Sequence, residues 1–113
     1  MFLTVVIPLF NEQDNVRPLY RSLVETMQVI GKDYEIIFID DGSTDRTLEE
    51  ILHVRKENDS VKVIVFKRNF GQTASLSAGF DHAQGDVIIA MDGDLQNDPS
   101  DIPKLLKIGR AHV

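Results

Sequence analysis

The 113 residues amount to about one small domain, enough for a core but small for an enzyme handling two substrates. Hydrophobic residues at 42% and charged residues at 27% exclude disordered and collagen-like classes, and the absence of cysteine excludes disulfides and thiolate zinc sites. Twelve basic against eighteen acidic residues leave a net charge of −6, which opposes a nucleic-acid backbone as partner.

Met1 to Pro8 has no positively charged leader and reads as a strand, not a secretory signal. No apolar run approaches the roughly 18 to 20 residues of a membrane helix, so this segment reads as soluble. Leu3 to Ile7 is rich in β-branched residues, and Pro8, which cannot donate to a ladder, marks the strand's exit. After the loop Leu9-Phe10-Asn11-Glu12-Gln13, Asp14 or Asn15 can cap a helix. Val16, Leu19, Tyr20, Leu23, Val24, Met27 and Ile30 follow its apolar period, and Gly31 stops it.

Tyr34 to Ile39 is a second buried strand, ending on Asp40 and Asp41. Gly42-Ser43-Thr44 supplies a turn and a cap for a shorter helix, with Leu48, Ile51, Leu52 and Val54 inward. Val61 to Phe66 is the third strand. A helix from about Gln72 to Ala83 follows, with Ala74, Ala78 and Gly79 small enough for close approach to a sheet. Val87 to Met91 is the fourth strand, an unbroken apolar run that stops at Asp92-Gly93-Asp94-Leu95-Gln96.

Alternating strands and helices with short loops predict an α/β, doubly wound parallel sheet in the order 3-2-1-4. Ligands of such sheets sit beyond the strands' carboxyl ends, where strand order reverses. Glu12, the Asp40–Asp41 pair and the Asp92–Asp94 pair all fall there and would line one crevice. A lone acidic loop is usually structural, but three at equivalent positions point to a site. In extended backbone Asp92, Asp94 and Gln96 leave on one side, offering oxygen ligands of the kind Mg²⁺ or Mn²⁺ selects beside a diphosphate.

These residues resemble the inverting family 2 glycosyltransferases of the GT-A fold. Val6-Ile7-Pro8-Leu9-Phe10-Asn11-Glu12, Ile39-Asp40-Asp41-Gly42-Ser43-Thr44-Asp45 and the Asp92-Gly93-Asp94 pair match three N-terminal motifs of that family, in order. Arg68-Asn69-Phe70-Gly71-Gln72 and Asp92 to Gln96, running into Asn97-Asp98-Pro99, are similar to the branch of dolichol-phosphate mannose synthase and the bacterial undecaprenyl-phosphate sugar transferases.

The resemblance implies a UDP- or GDP-linked sugar as donor and a polyprenyl phosphate as acceptor. It implies that Asp41 accepts an N–H of the base, that Pro8, Phe10 and Glu12 form the near wall of the nucleotide pocket, and that Arg68 contacts phosphate unless it belongs to a solvated loop. Asp92 would lie near ribose and metal, with Asp94 and Gln96 the direct ligands of Mg²⁺ or Mn²⁺. Asp92 and Asp94 are the catalytic pair so implied. Asn69 and Gln72 would bond the nucleotide or order their own turn. A lipid phosphate is already anionic, so His53, His82 and His112 need no role as base.

The family's catalytic domain is longer, so residues 1–107 read as its N-terminal part, with membrane association at the cytoplasmic face supplied by the remainder. Alone, the segment is expected to aggregate through its fourth strand and to lack turnover. Asp101 to Lys107 reads as a further helix. Ile108-Gly109-Arg110-Ala111-His112-Val113 breaks its period and can be encoded by ATC GGA AGA GCA CAC GTC, which resembles a sequencing adapter, so residues 108–113 are expected to be non-native. Two alternatives stay open: a family 2 enzyme with a saccharide or protein acceptor, and a nucleotide-binding module without catalysis.

Overall fold

The computed structural model describes residues 1–93. The expectations for Asp94, Gln96, the helix after Asp101 and the terminal hexapeptide lie outside those residues. Within them the elements alternate as β1 (Phe2–Leu9), α1 (Val16–Ile30), β2 (Asp33–Asp41), α2 (Thr47–Glu57), β3 (Val61–Phe66), α3 (Gln72–His82) and β4 (Val87–Ala90). All pairings are parallel and the order is β3-β2-β1-β4, the doubly wound arrangement expected from the alternation.

Alternate residues of the central strands supply two cores, because side chains leave a strand on opposite faces. Leu3, Val5, Ile7 and Leu9 of β1 with Ile36 and Phe38 of β2 pack under Leu19, Leu23 and Met27 of α1 and Ile51 and Val54 of α2. On the other face Val6, Ile37 and Ile39 meet Leu76 of α3. A Cβ on Gly79 would lie 2.3 Å from Val6 Cγ1, so α3 approaches the sheet as closely as a side chain of hydrogen permits.

Three local expectations need correction. Pro8 does not end β1, which runs on to Leu9 with Pro8 opposite Ile39 of β2. The C=O of Val6 accepts the N–H of Met91, so the peptide groups of even-numbered residues face β4, whose ladder stops at Ala90. The donor that Pro8 lacks therefore breaks no bond to β2. Neither Ser43 nor Thr44 caps α2: its N-cap position is Arg46, with no side-chain cap bond, and just ahead of it Asp45 Oδ1 accepts the Thr47 N–H at 2.9 Å and the Thr47 hydroxyl as well. Leu52, counted among the inward residues of α2, is 41% exposed.

At the amino ends of the strands a buried polar cluster fixes how the chain enters β4. Glu35, opposite Thr4 in the β1–β2 ladder, accepts the Thr4 hydroxyl at 2.7 Å, the Gln84 N–H at 2.7 Å and the Lys62 ammonium. Thr4 Oγ1 in turn accepts the Gly85 N–H at 2.9 Å. Burial raises the Glu35 carboxyl, but the bonds from Lys62, Gln84 and Thr4 outweigh it and hold the group below its ordinary value.

Candidate functional site

The loops at the carboxyl ends of β1 and β2 are stitched to one another. Asn11 sits at φ 53°, a left-handed conformation that asparagine tolerates better than most residues. From there its Oδ1 accepts the Thr44 N–H at 2.8 Å, while its own N–H reaches Ser43 Oγ at 3.0 Å. The Glu12 N–H donates to Thr47 Oγ1 at 2.8 Å, and the Arg46 N–H to Gln13 Oε1 at 3.0 Å. Burial raises the Asp45 carboxyl, but the Thr47 hydroxyl and the Thr47 and Gln13 N–H groups lower it further, for a net downward shift.

The β3–α3 loop joins this framework through Asp41, whose carboxylate is nearly buried at 3% exposure. Its Oδ1 accepts the Phe70 N–H at 2.8 Å, and its Oδ2 accepts the Gly71 N–H at 3.0 Å and Asn69 Nδ2 at 3.1 Å. Successive backbone N–H groups converging on an anion form a nest. Gly42, at φ +69°, lets the loop come this close: a Cβ there would fall 2.1 Å from the backbone carbon of Arg68.

Between these loops and the end of β4 lies an open cleft of about 240 Å³, lined by Pro8, Leu9, Phe10, Glu12, Asp41, Asn69, Gly71, Gln72, Asp92 and Gly93. Two larger hollows, of about 500 and 530 Å³, lie away from the strands' carboxyl ends, where doubly wound sheets hold their ligands. The cleft walls are apolar at Pro8, Leu9 and Phe10 and acidic at Glu12, Asp41 and Asp92, with no lysine or arginine in the lining among the described residues. Gln72 Nε2 donates to Asp92 Oδ1 at 3.2 Å and so connects α3 to the end of β4. Gly93 lies against β1, where a Cβ would fall 2.0 Å from Leu9 Cδ2 and 3.2 Å from the Pro8 carbonyl oxygen.

The structure thus brings Pro8, Phe10, Glu12, Asp41 and Asp92 to one cleft. Arg68 is not in its lining: the guanidinium lies 4.8 Å from the centroid of the Phe70 ring, which itself meets Phe66 edge-on. Asp40 turns inward and accepts the Ser43 N–H at 3.2 Å, the usual work of an aspartate in a turn. His82 Nδ1 is engaged with the Ala78 carbonyl on the surface of α3. Leu9, Gly71 and Gly93 line the cleft without having been singled out as site residues, and the signal for Gly71 was its place before a helix.

No group of three His, Cys, Asp or Glu side chains able to hold a metal occurs among the described residues. Asp92 is the acid at the end of β4, and Asp94 and Gln96 follow it at alternate positions outside those residues. The chemistry of this set, carboxylates and an amide, fits a hard divalent cation.

The model for glycosyl transferase family 2 matches residues 4–111. The chain is 41% identical over 107 residues to the undecaprenyl-phosphate 4-deoxy-4-formamido-L-arabinose transferase of Edwardsiella ictaluri (strain 93-146), covering 94% of this chain and 33% of that protein. It is 45% identical over 105 residues to the dodecaprenyl-phosphate galacturonate synthase of Rhizobium johnstonii, covering 92% of this chain and 31% of that one. The chain therefore spans about a third of the length of these curated relatives.

Among solved structures it is similar to the mannosyltransferase PcManGT of Pyrobaculum calidifontis in complex with GDP-Man and Mn²⁺, with a TM-score of 0.73 and 21% identity over 81% of this chain and 27% of that one. It is also similar to S. aureus TarS 1-349 in complex with UDP-GlcNAc, with a TM-score of 0.77 and 21% identity over 99% of this chain and 32% of that one. These likenesses establish the GT-A fold.

Proposed function

Since the chain belongs to glycosyl transferase family 2, we propose that it is the donor-binding part of an inverting enzyme that moves a sugar from a UDP- or GDP-linked donor to a polyprenyl phosphate. The observation that carries this is the cleft: an apolar wall of Pro8, Leu9 and Phe10 and three acids, assembled from the ends of β1, β2 and β4. The two curated relatives, both named for a polyprenyl-phosphate substrate or product, support the acceptor. On this reading residues 1–107 are family sequence and 108–113 a non-native tail, which resequencing of the gene tests.

In this reading Pro8 and Phe10 cover the apolar face of the base, and the base edge meets the Asp41 corner. Glu12 and Asp92 lie toward the ribose, with Asp92 held in orientation by Gln72. Arg68 reaches a phosphate by leaving the ring of Phe70. The three carboxylates of the described lining would repel a diphosphate, which favours a cation in the donor set. Asp94 and Gln96 would hold Mg²⁺ or Mn²⁺ beside Asp92, and a bound ion would offset the charge of the departing nucleoside diphosphate. Asp92 and Asp94 form the catalytic pair. The lipid phosphate oxygen, already anionic, attacks the anomeric carbon from the face opposite the leaving group. The lipid acceptor draws the full-length enzyme to the cytoplasmic face of the membrane; among the described residues no helix is long and apolar enough to cross it.

The test is transfer from a labelled nucleotide sugar to undecaprenyl phosphate by the product of the full-length gene. D92N and D94N should each abolish lipid-linked product while leaving the fold intact. Transfer only to a saccharide or protein hydroxyl would overturn the proposed acceptor.

A further inference from the structure

Asp92 follows β4 on a backbone that β1 holds on either side of it. The Met91 N–H donates to the Val6 carbonyl at 3.0 Å, and Gly93 lies so close to β1 that a Cβ would fall 2.0 Å from Leu9 Cδ2. Those contacts place the backbone, while the side chain is engaged from a different element. Gln72, the first residue of α3, donates from Nε2 to Asp92 Oδ1 at 3.2 Å. Its own position is set by Gly71, whose N–H is on Asp41 Oδ2 at 3.0 Å and whose carbonyl accepts both the N–H and the hydroxyl of buried Ser75 at 3.1 Å. Because β1 lies between β2 and β4, the run Asp41, Gly71, Gln72, Asp92 ties the end of β2 to the end of β4 across the point where strand order reverses. The other two acids of the described lining carry the same kind of partner: Glu12 Oε2 accepts Asn15 Nδ2 at 2.6 Å, and Asp41 Oδ2 accepts Asn69 Nδ2 at 3.1 Å.

We propose that Gln72 is a positioning residue that sets the Asp92 carboxylate in place for the divalent cation. This rests on the donor-site reading above and assigns within it the part played by α3. An amide N–H carries no net charge, so the bond restricts the carboxylate's rotation without cancelling its charge. A cation that meets an already oriented ligand has less side-chain motion to arrest, and the gain appears as tighter metal-dependent binding. Gln72 acts through Asp92 and has no need to touch nucleotide or metal itself. The reach of the side chain matters, since an asparagine at 72 would carry the same amide one methylene short of Asp92.

The test is calorimetric titration of the 113-residue chain with UDP and with GDP, each with and without Mn²⁺, for the wild type, Q72M, Q72N and D92N. The readout is the ratio of the affinity with Mn²⁺ to the affinity without it, taken for the nucleotide that binds. Q72M, which keeps the length of the side chain and loses the donor, should lower that ratio on the order of tenfold, toward the D92N value. Q72N should lower it as well, even if Q72M folds poorly. Q72M/D92N should fall no further than D92N, because Gln72 acts only through Asp92. A Gln72 that merely lined the cleft or touched the nucleotide would, when replaced, weaken binding by the same factor with and without Mn²⁺. An unchanged ratio in Q72M and Q72N would therefore overturn this inference and leave the donor site standing. A folded wild type that binds neither nucleotide with Mn²⁺ present would overturn both.

Discussion

The backbone N–H of Gly71 donates to Asp41 Oδ2 at 3.0 Å across thirty residues of sequence, from a backbone conformation at φ +99°. That single bond joins the end of β2 to the start of α3, and it exists because glycine alone enters this region without strain. G71A should therefore cost about 1–3 kcal/mol, although a Cβ there would meet no neighbour within 4 Å. Thermal denaturation checks the stability, and amide exchange at Phe70 and Gly71 checks the cause. An unchanged melting temperature with those two amides still protected would show that the conformation carries no strain.

Gly79 tests the opposite case, a glycine required by space and not by backbone angle. With Val6 Cγ1 at 2.3 Å and Ile39 Cδ1 at 3.1 Å from its would-be Cβ, G79A forces α3 off the sheet or its neighbours off their rotamers. The expected cost is about 1–3 kcal/mol, and G79V should not fold. Chemical denaturation of G79A alone and paired with V6A checks this, since V6A should recover part of the loss.

Glu35 should make stability depend on acid pH. Its folded value lies below the ordinary carboxylate value of about 4.5, so its contribution is present above that pH and is lost as pH falls through the depressed folded value. E35Q should flatten that acid slope, and E35A should cost about 2–4 kcal/mol at neutral pH by leaving the Thr4 hydroxyl and Gln84 N–H without their acceptor. Urea titrations between pH 3 and 7 decide it; identical slopes for wild type and E35Q would assign the acid dependence elsewhere.

The β4 strand is one of the two edges of the described sheet, and its Ile88 is 41% exposed. Exposed apolar edge strands pair with other chains, and a lysine on the edge suppresses that pairing. I88K should therefore reduce self-association of the 113-residue chain in sedimentation experiments without lowering its melting temperature. Equal association by both proteins would place the sticky surface elsewhere.

How much of this was legible in the sequence depended on range. Strand order, the α1 period from Val16 to Ile30 and the gathering of Glu12, Asp41 and Asp92 follow from local pattern plus the handedness of parallel crossovers. Pro8 misled because its missing donor matters only if a neighbouring strand needs it, and β4 has ended by then. Ser43 and Thr44 do not cap α2 because those two are used by Asn11 of another loop. The engagement of Asp41 by the 69–71 loop and the stacking of Arg68 on Phe70 are tertiary contacts, which no periodicity encodes.

The cleft between β1, β2 and β4 is proposed to take a nucleoside diphosphate together with a divalent cation. Calorimetric titration of the 113-residue chain, carrying I88K if association interferes, with UDP and GDP in the presence and absence of Mn²⁺ tests it most directly. One of the two nucleotides should bind, Mn²⁺ should tighten it, and D92N should remove the Mn²⁺ effect. A folded chain that binds neither UDP nor GDP with Mn²⁺ present would contradict it.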